Sequence, residues 1–405
     1  MKVYLVGGAV RDNLLGYPVK ERDWLVVGAV PEQLLSQGYR QVGRHFPVFL
    51  HPDTGEEYAL ARTESKSAPG YYGFNCNYNI NVTLEEDLLR RDLTINAMAI
   101  DEFGKIIDPY RGLDDIKLKK LRHISAAFAD DPVRVLRVAR FAARYHHLGF
   151  HIDDDTMHLM YLMTKRGELD YLIPERIWSE WYKSLFEKNP EMFIQVLRDC
   201  GALAVIIPEI DRLFGVPNSY KYHPEIDSGV HTLCTLQATT KLSGIDEKFV
   251  GLVRFAAALH DVGKGITSMK QWPRHHGHEY SGVAIIDEIC QRLRVPVSYR
   301  QFAIQACRYH LIMHRVLELN PCAIVNTLNK IDAFRRPAIF AALLNVCEAD
   351  AHQQESYKQR EIWNSIYKRC SLILASDAIK NGCAGAEIQD YLYKRRVQTV
   401  SDFLP

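Results

Sequence analysis

Apolar positions in the first hundred residues fall into short β-type runs at 3–6 and 24–27, with 57–61 as a third. Gly7-Gly8 interrupts the first run, and apolar positions then recur at helical spacing over 9–15. From about Leu113 onward, helical periodicity replaces the β-type runs, most clearly over 132–145, 174–187, 191–200 and 249–260. Pro208, Pro217 and Pro224 cluster in a stretch that separates two helical modules. The pattern predicts an α+β chain: a small mixed-sheet N-terminal domain followed by a long all-α body.

A chain of 405 residues exceeds one ordinary core, and its 47% hydrophobic and 24% charged residues describe a globular protein. No apolar run approaches the ~20 residues that span a bilayer, which argues against a membrane. Met1 to Asp12 reads as a first strand and turn rather than a signal peptide. The nine cysteines form no Cys-x-x-Cys pair, so neither a zinc ribbon nor a disulfide framework is indicated, and reduced thiols in a cytoplasmic protein are expected. A net charge of +1 leaves any polyanion to be met by local clusters. Those available are Lys117, Lys119, Lys120 and Arg122, the arginines from 134 to 144, and Lys394-Arg395-Arg396. Each, taken alone, reads equally well as a solvated helix face.

Four segments carry more specific chemistry. Gly7-Gly8 lies between a predicted strand and helix, with Arg11 one turn on, where backbone N–H groups can approach a phosphate; alone, such a pair is more often a simple tight turn. Glu21 and Asp23 precede the second strand two residues apart, so in extended chain both point to one side. Paired carboxylates repel unless a cation sits between them, and hard oxygen donors suit Mg²⁺ with substrate phosphates. Arg90-Arg91-Asp92-Leu93-Thr94-Ile95-Asn96 supplies cations for a triphosphate and a polar group to orient a ribose or a loop. From Asp130-Asp131-Pro132, with Asp131 as N-cap, Arg134, Arg137, Arg140 and Arg144 occupy one arc of a helix backed by apolar residues. Four arginines without acidic company predict a binding edge for phosphates or bases.

In this order the motifs resemble the class II tRNA nucleotidyltransferase and poly(A) polymerase family, in particular the bacterial CCA-adding enzymes. The resemblance implies a polymerase-beta-like palm over 1–122 and a helical neck and body with the base-recognition helix over 123–225. It implies Mg²⁺ on Glu21 and Asp23, the catalytic pair, and CTP or ATP held by Gly8, Arg11, Arg91, Arg137 and Arg140. Asp131 and Arg134 match the pair that reads the base edge in place of a nucleic-acid template. Two positions depart from the family pattern: Glu21 stands where Asp is usual, and Asp130 where Glu is common.

A second constellation lies downstream. His260-Asp261 ends a strongly apolar helix, with His231 before it and His275, His276, His278, His310 and Asp350 after it. This resembles the HD phosphohydrolase superfamily, which implies a divalent metal on His231, His260, Asp261 and Asp350. It also implies a phosphate pocket lined by His278 (or His276) and His310. Imidazole ligands favour Ni²⁺ or another transition ion. The matching boundaries are 226–330 for the HD domain and 331–405 for a helical region completing its site. Together these imply addition and repair of the 3′-terminal CCA of tRNA from CTP and ATP, with phosphatase, 2′-nucleotidase and 2′,3′-cyclic phosphodiesterase activities, in a monomer or homodimer. The alternatives are a poly(A) polymerase on the same head, against which the nearly neutral charge weighs, or an HD hydrolase whose head is inactive.

Overall fold

The computed structural model describes all residues except 20, 43–47, 67–73, 220–225, 355 and 405, and only the backbone of 65, 66, 74 and 75. Pro224 therefore lies outside the described residues. The chain divides into two compact units, Met1–Trp181 with Met192–Ile206, and Tyr182–Glu191 with Ile207–Pro405.

The first unit opens with β1 (Lys2–Val6), α1 (Gly8–Leu14), β2 (Asp23–Val27), α2 (Pro31–Ser36), β3 (Arg40–Val42), β4 (Val48–Leu50) and β5 (Glu57–Leu60). It continues through β6 (Thr63–Lys66), β7 (Phe74–Asn77), α3 (Leu84–Leu89), β8 (Ala99–Ile100), β9 (Ile106–Ile107), α4 (Gly112–Leu118) and β10 (Lys120–Leu121). Then come α5 (Val133–Tyr145), β11 (His151–Ile152), α6 (Asp154–Lys165), α7 (Pro174–Ser184), α8 (Glu191–Asp199) and α9 (Leu203–Ile206). A seven-stranded sheet runs β3-β4-β5-β2-β1-β8-β9, mixed because β2 and β5 are parallel and the other neighbours antiparallel. Strand side chains alternate between faces. Leu25 joins a buried cluster with Val6, Leu84, Leu88, Ala97 and Ala99, while Val26 joins another with Leu34, Phe49 and Leu60. Burial on both faces explains why β2 reads as an unbroken apolar run. Against expectation, β structure persists past Leu113: β10 and β11 form a parallel two-residue pair.

The second unit is helical: α10 (Pro208–Asp211), α11 (Ser228–Ala238), α12 (Glu247–Leu259), α13 (His278–Arg292), α14 (Val297–His314), α15 (Pro321–Lys330), α16 (Pro337–Asp350), α17 (Lys358–Ser371), α18 (Ala375–Lys380) and α19 (Ala386–Phe403). From Gly251 to Leu259 only Arg254 of α12 is not fully buried, because α11, α14 and α16 pack around it. Two glycines set the spacing of α13. A Cβ on Gly263 would stand 2.1 Å from the His278 carbonyl oxygen, and one on Gly282 would stand 2.5 Å from Cys307 Sγ on α14.

That close approach predicts the cost of filling it. Gly263→Ala should destabilise the second unit by about 1–3 kcal/mol, the usual range for forcing an extra carbon into packed structure. The circular-dichroism melting midpoint should fall by several degrees, and an unchanged midpoint would contradict the packing described.

Candidate functional sites

In the first unit, antiparallel pairing sets Val6 opposite Asp23, so the end of β1 and the start of β2 lie together at one end of the sheet. Gly7 turns the chain there with φ 70°, and a Cβ on it would meet Arg91 Nη1 at 2.7 Å. Asp23 is exposed as a residue, yet partial burial of its carboxyl raises its pKa. The Arg91 charge opposes that rise and the Glu21 charge adds to it. The paired carboxylates thus sense each other, and a hard divalent cation fits this donor set. Parallel pairing also places Glu57 opposite Asp23.

Arg11 is buried. Asp12 Oδ1 accepts its Nε–H at 2.9 Å, Asn96 Oδ1 accepts from its Nη1, and its guanidinium lies 5.0 Å from the Phe141 ring. Asp92 joins this end of the sheet to α5. Its Oδ2 accepts from Arg137 Nε at 2.7 Å, and its Oδ1 accepts from Asn96 Nδ2 and the Leu93 amide at 2.8 Å each. Burial raises the pKa of Asp92, but the Arg137 charge and these hydrogen bonds outweigh it and hold the carboxyl well below its usual range.

All four members of the expected arginine edge are also held by the protein. Arg134 donates to the carbonyls of Ala127 and Arg90, both at 2.6 Å, Arg137 to Asp92, Arg140 to Glu180 at 2.6 Å, and Arg144 to Asp12 at 3.0 Å. Asp131 does cap the helix, accepting from the Val133 amide at 3.1 Å, but it is also gripped by both Nη atoms of Arg176 at 2.9 and 2.6 Å. Arg176 and Glu180 of α7 went unnoticed in the sequence. Their spacing of four residues, facing one side of a helix, was the available signal.

In the second unit the expected residues converge from five places: His231 on α11, His260-Asp261 at the end of α12, His278 at the start of α13, His310 on α14 and Asp350 at the end of α16. All six are buried. His231 Nε2 lies 2.9 Å from Asp350 Oδ1, and His260 Nε2 lies 3.4 Å from Asp261 Oδ2 and 3.5 Å from Asp350 Oδ1. His278 and His310 approach the other oxygen, Asp261 Oδ1, at 3.1 and 3.5 Å. His276 is not part of either metal-competent group found among the described residues.

Burial opposes a charged His260, yet the Asp261 and Asp350 carboxylates outweigh it and push its pKa up to about 10. Both carboxyls are held well below their usual range despite burial, chiefly by Lys264 and His260 for Asp261 and by His260 for Asp350. His260 Nε2 and Asp261 Oδ1 are buried without a hydrogen bond. A divalent metal that takes the place of the His260 proton fits these two atoms and the second carboxylate.

Three supporting residues complete the group. Lys264 Nζ lies 2.6 Å from Asp261 Oδ2, His314 Nε2 lies 2.7 Å from Asp350 Oδ2, and Tyr357 Oη lies 3.0 Å from His314 Nδ1. Contacts of this kind fix the orientation of ligand groups. His314 follows His310 by one helical turn, a spacing that could have marked it.

The chain matches the family model of the poly A polymerase head domain over residues 3–122, the probable RNA and SrmB-binding site of polymerase A over 149–214, and the HD domain over 229–337. It is 59% identical over 403 residues to the multifunctional CCA protein of Legionella pneumophila strain Lens, covering 99% of this chain and 97% of that protein. The chain belongs to the multifunctional CCA protein family. A Vibrio cholerae member of the family is 52% identical over 405 residues, covering 99% of each chain. Among solved structures, an apo form of a CCA-adding enzyme superposes with TM-score 0.66 at 20% identity, covering 99% of this chain and 91% of that one. The Thermotoga maritima CCA-adding enzyme complexed with tRNA gives 0.63 at 19%, covering 98% and 87%. Both share the fold of this family member, a small mixed-sheet head followed by a helical body. Among the described residues no helix is long and apolar enough to cross a membrane.

Asp92→Asn should reveal the linkage built into the head. Arg137 keeps 36% of its side chain exposed, so the cost falls below the ~3–5 kcal/mol of a fully buried pair, at about 2 kcal/mol. Because the folded pKa is depressed, the wild-type advantage is present above the unfolded value of about 3.9 and disappears as pH falls through the folded one. Urea denaturation should therefore show a constant gap between wild type and variant at neutral pH that closes only in acid. A gap that grows on acidification would contradict the assignment.

Proposed function

We propose that this chain adds and repairs the 3′-terminal CCA of tRNA without a nucleic-acid template, taking C, C and A from CTP and ATP and releasing pyrophosphate. One observation carries the proposal. The Gly7-Gly8 turn, Arg91 and the carboxylate pair Glu21 and Asp23 meet at one end of the sheet, in a chain 59% identical to a multifunctional CCA protein.

On this reading the Gly8 amide at the head of α1, with Arg11 and Arg91, holds the triphosphate, and Arg137 and Arg140 complete the nucleotide pocket. Asp131 and Arg134 read the base. An acceptor and a multi-donor fork satisfy cytosine or adenine by exchanging partners. The tRNA 3′-oxygen attacks the α-phosphorus as the bond to the pyrophosphate oxygen breaks. Glu21 and Asp23 would hold Mg²⁺, which lowers the pKa of the attacking hydroxyl and offsets charge on the triphosphate. Glu21 reaches one methylene farther than the aspartate usual there.

The second site would hold Ni²⁺ or another divalent transition ion through His231, His260, Asp261 and Asp350. It would support phosphatase, 2′-nucleotidase and 2′,3′-cyclic phosphodiesterase activity, opening blocked ends for extension by the head. The working boundaries are 1–122, 123–225, 226–330 and 331–405, and the working compartment is the cytoplasm.

The test uses tRNA ending at the discriminator base with Mg²⁺, and product lengths resolved to single nucleotides. CTP alone should add two residues, and CTP with ATP three, followed by arrest. Asp23→Asn should reduce the rate at least a hundredfold, as loss of an electrostatic contact to the reacting groups does. A long adenosine ladder would make the chain a poly(A) polymerase, and no extension by the wild type would overturn the proposal for the head.

A further inference from the structure

A cleft of about 260 Å³ in the second unit opens between the first turns of α14 and the start of α16, with Arg300, Gln301, Ile304, Gln305, Arg336 and Ile339 among its walls. It is separate from the His260-Asp261 site. Arg336 and Asp350 stand at opposite ends of α16, about 20 Å apart along the helix. We infer that this cleft binds the phosphate group of a nucleotide, with Arg300 and Arg336 as its cationic walls.

The charge of the cleft is unbalanced. Among the described residues the Arg336 guanidinium makes no ion pair and no hydrogen bond, and it is exposed. Asp332, four residues before it, is held instead by Arg335 through hydrogen bonds of 2.8 and 2.9 Å. Arg300 directs one Nη to Asp287 at 3.1 Å, and the other oxygen of that carboxylate accepts from Gln291 at 2.6 Å. Arg300 Nε is buried with no hydrogen bond. A buried N–H without an acceptor calls for one.

Helix polarity adds to this field. Neither α14 nor α16 begins with a side-chain cap or carries an acidic residue in its first turn. The N-terminal end of a helix bears partial positive charge, which Asp or Glu ordinarily offsets. Here arginines stand in that place: Arg336 directly precedes α16, and Arg300 lies in the first turn of α14. Pro337 has no N–H, and the Ala338 amide makes no hydrogen bond among the described residues. Positive side chains set on a positive helix end are balanced by a bound anion.

The walls select which anion. Each guanidinium fork pairs with two oxygens at once, so two forks with the Gln301 and Gln305 amides offer more donors than a carboxylate accepts. A phosphate has the oxygens to meet them. Ile304 and Ile339 supply an apolar wall for a sugar or base. The volume falls just under the roughly 300–1,000 Å³ of pockets for drug-sized ligands, which leaves room for a single nucleotide. A free nucleoside monophosphate and one link of an RNA backbone share this chemistry.

The experiment compares the full-length wild type with Arg336→Gln, in chelator so that metal-held phosphates do not contribute. Calorimetric titration with cytidine 5′-monophosphate and with inorganic phosphate reads the free ligand. Filter binding of tRNA over a salt series reads the backbone. Binding at the head and at the His260-Asp261 site is common to both proteins and cancels in the comparison. A site for free nucleotide predicts monophosphate binding about tenfold weaker in the variant, the loss of one charged hydrogen-bonded contact, with tRNA affinity unchanged. A site for backbone predicts weaker tRNA binding with a salt slope smaller by about one, and monophosphate binding the same in both proteins. Either result supports the phosphate site and names its source. Unchanged binding of all three ligands in Arg336→Gln would overturn it. Arg300→Gln carries the same expectations and decides the matter if the first variant melts early.

Discussion

A buried carboxylate facing a cation is the interaction on which both units depend. In the head, arginines crowd one end of the sheet and α5, and unpaired they would repel one another. Asp12, Asp87, Asp92, Asp131 and Glu180 prevent this, each pairing with one or more of Arg11, Arg90, Arg91, Arg137, Arg140, Arg144 and Arg176. Asp92 matters most because it ties Arg137 on α5 to Asn96, and Asn96 in turn holds Arg11 behind the Gly7-Gly8 turn. Truncating one such carboxylate exposes a fixed positive charge to its neighbours, so its effect spreads beyond its own contact.

The helical unit uses the same physics with weaker cations. Asp261 and Asp350 are buried, facing imidazoles that are cationic only when protonated. The glycines at 263 and 282 bring α13 close enough for His278 to meet both Asp261 and His310. Backbone packing thus determines how closely these side chains approach the Asp261 carboxylate.

Much of this was legible in the sequence where the signal was local. β1, β2, β5, α1, α5 and α12 fall within a few residues of the expected runs, because apolar periodicity reports which face each element buries. The six buried residues of the second site are legible through the His260-Asp261 doublet and the resemblance to the HD superfamily that it carries. The sheet order was not legible, because strands of two or three residues such as β8 and β9 carry too few side chains to show alternation. The partners of the arginine stripe were not legible for a related reason. Its partners lie 40, 45 and 132 residues away along the chain, at Glu180, Asp92 and Asp12, and no local pattern encodes them.

On the proposed function, ion pairs do the work of a template: Arg176 fixes Asp131, and two carbonyls fix Arg134, so that both present a rigid edge to the incoming base. The most direct measurement of that claim compares kcat/KM for CTP and UTP on tRNA ending at the discriminator base, in wild type and Arg176→Gln. Freeing Asp131 removes a preorganised contact of about 1–1.5 kcal/mol, so the preference for CTP should fall roughly tenfold while turnover of CTP persists. An unchanged preference in a variant that melts like the wild type would contradict the account.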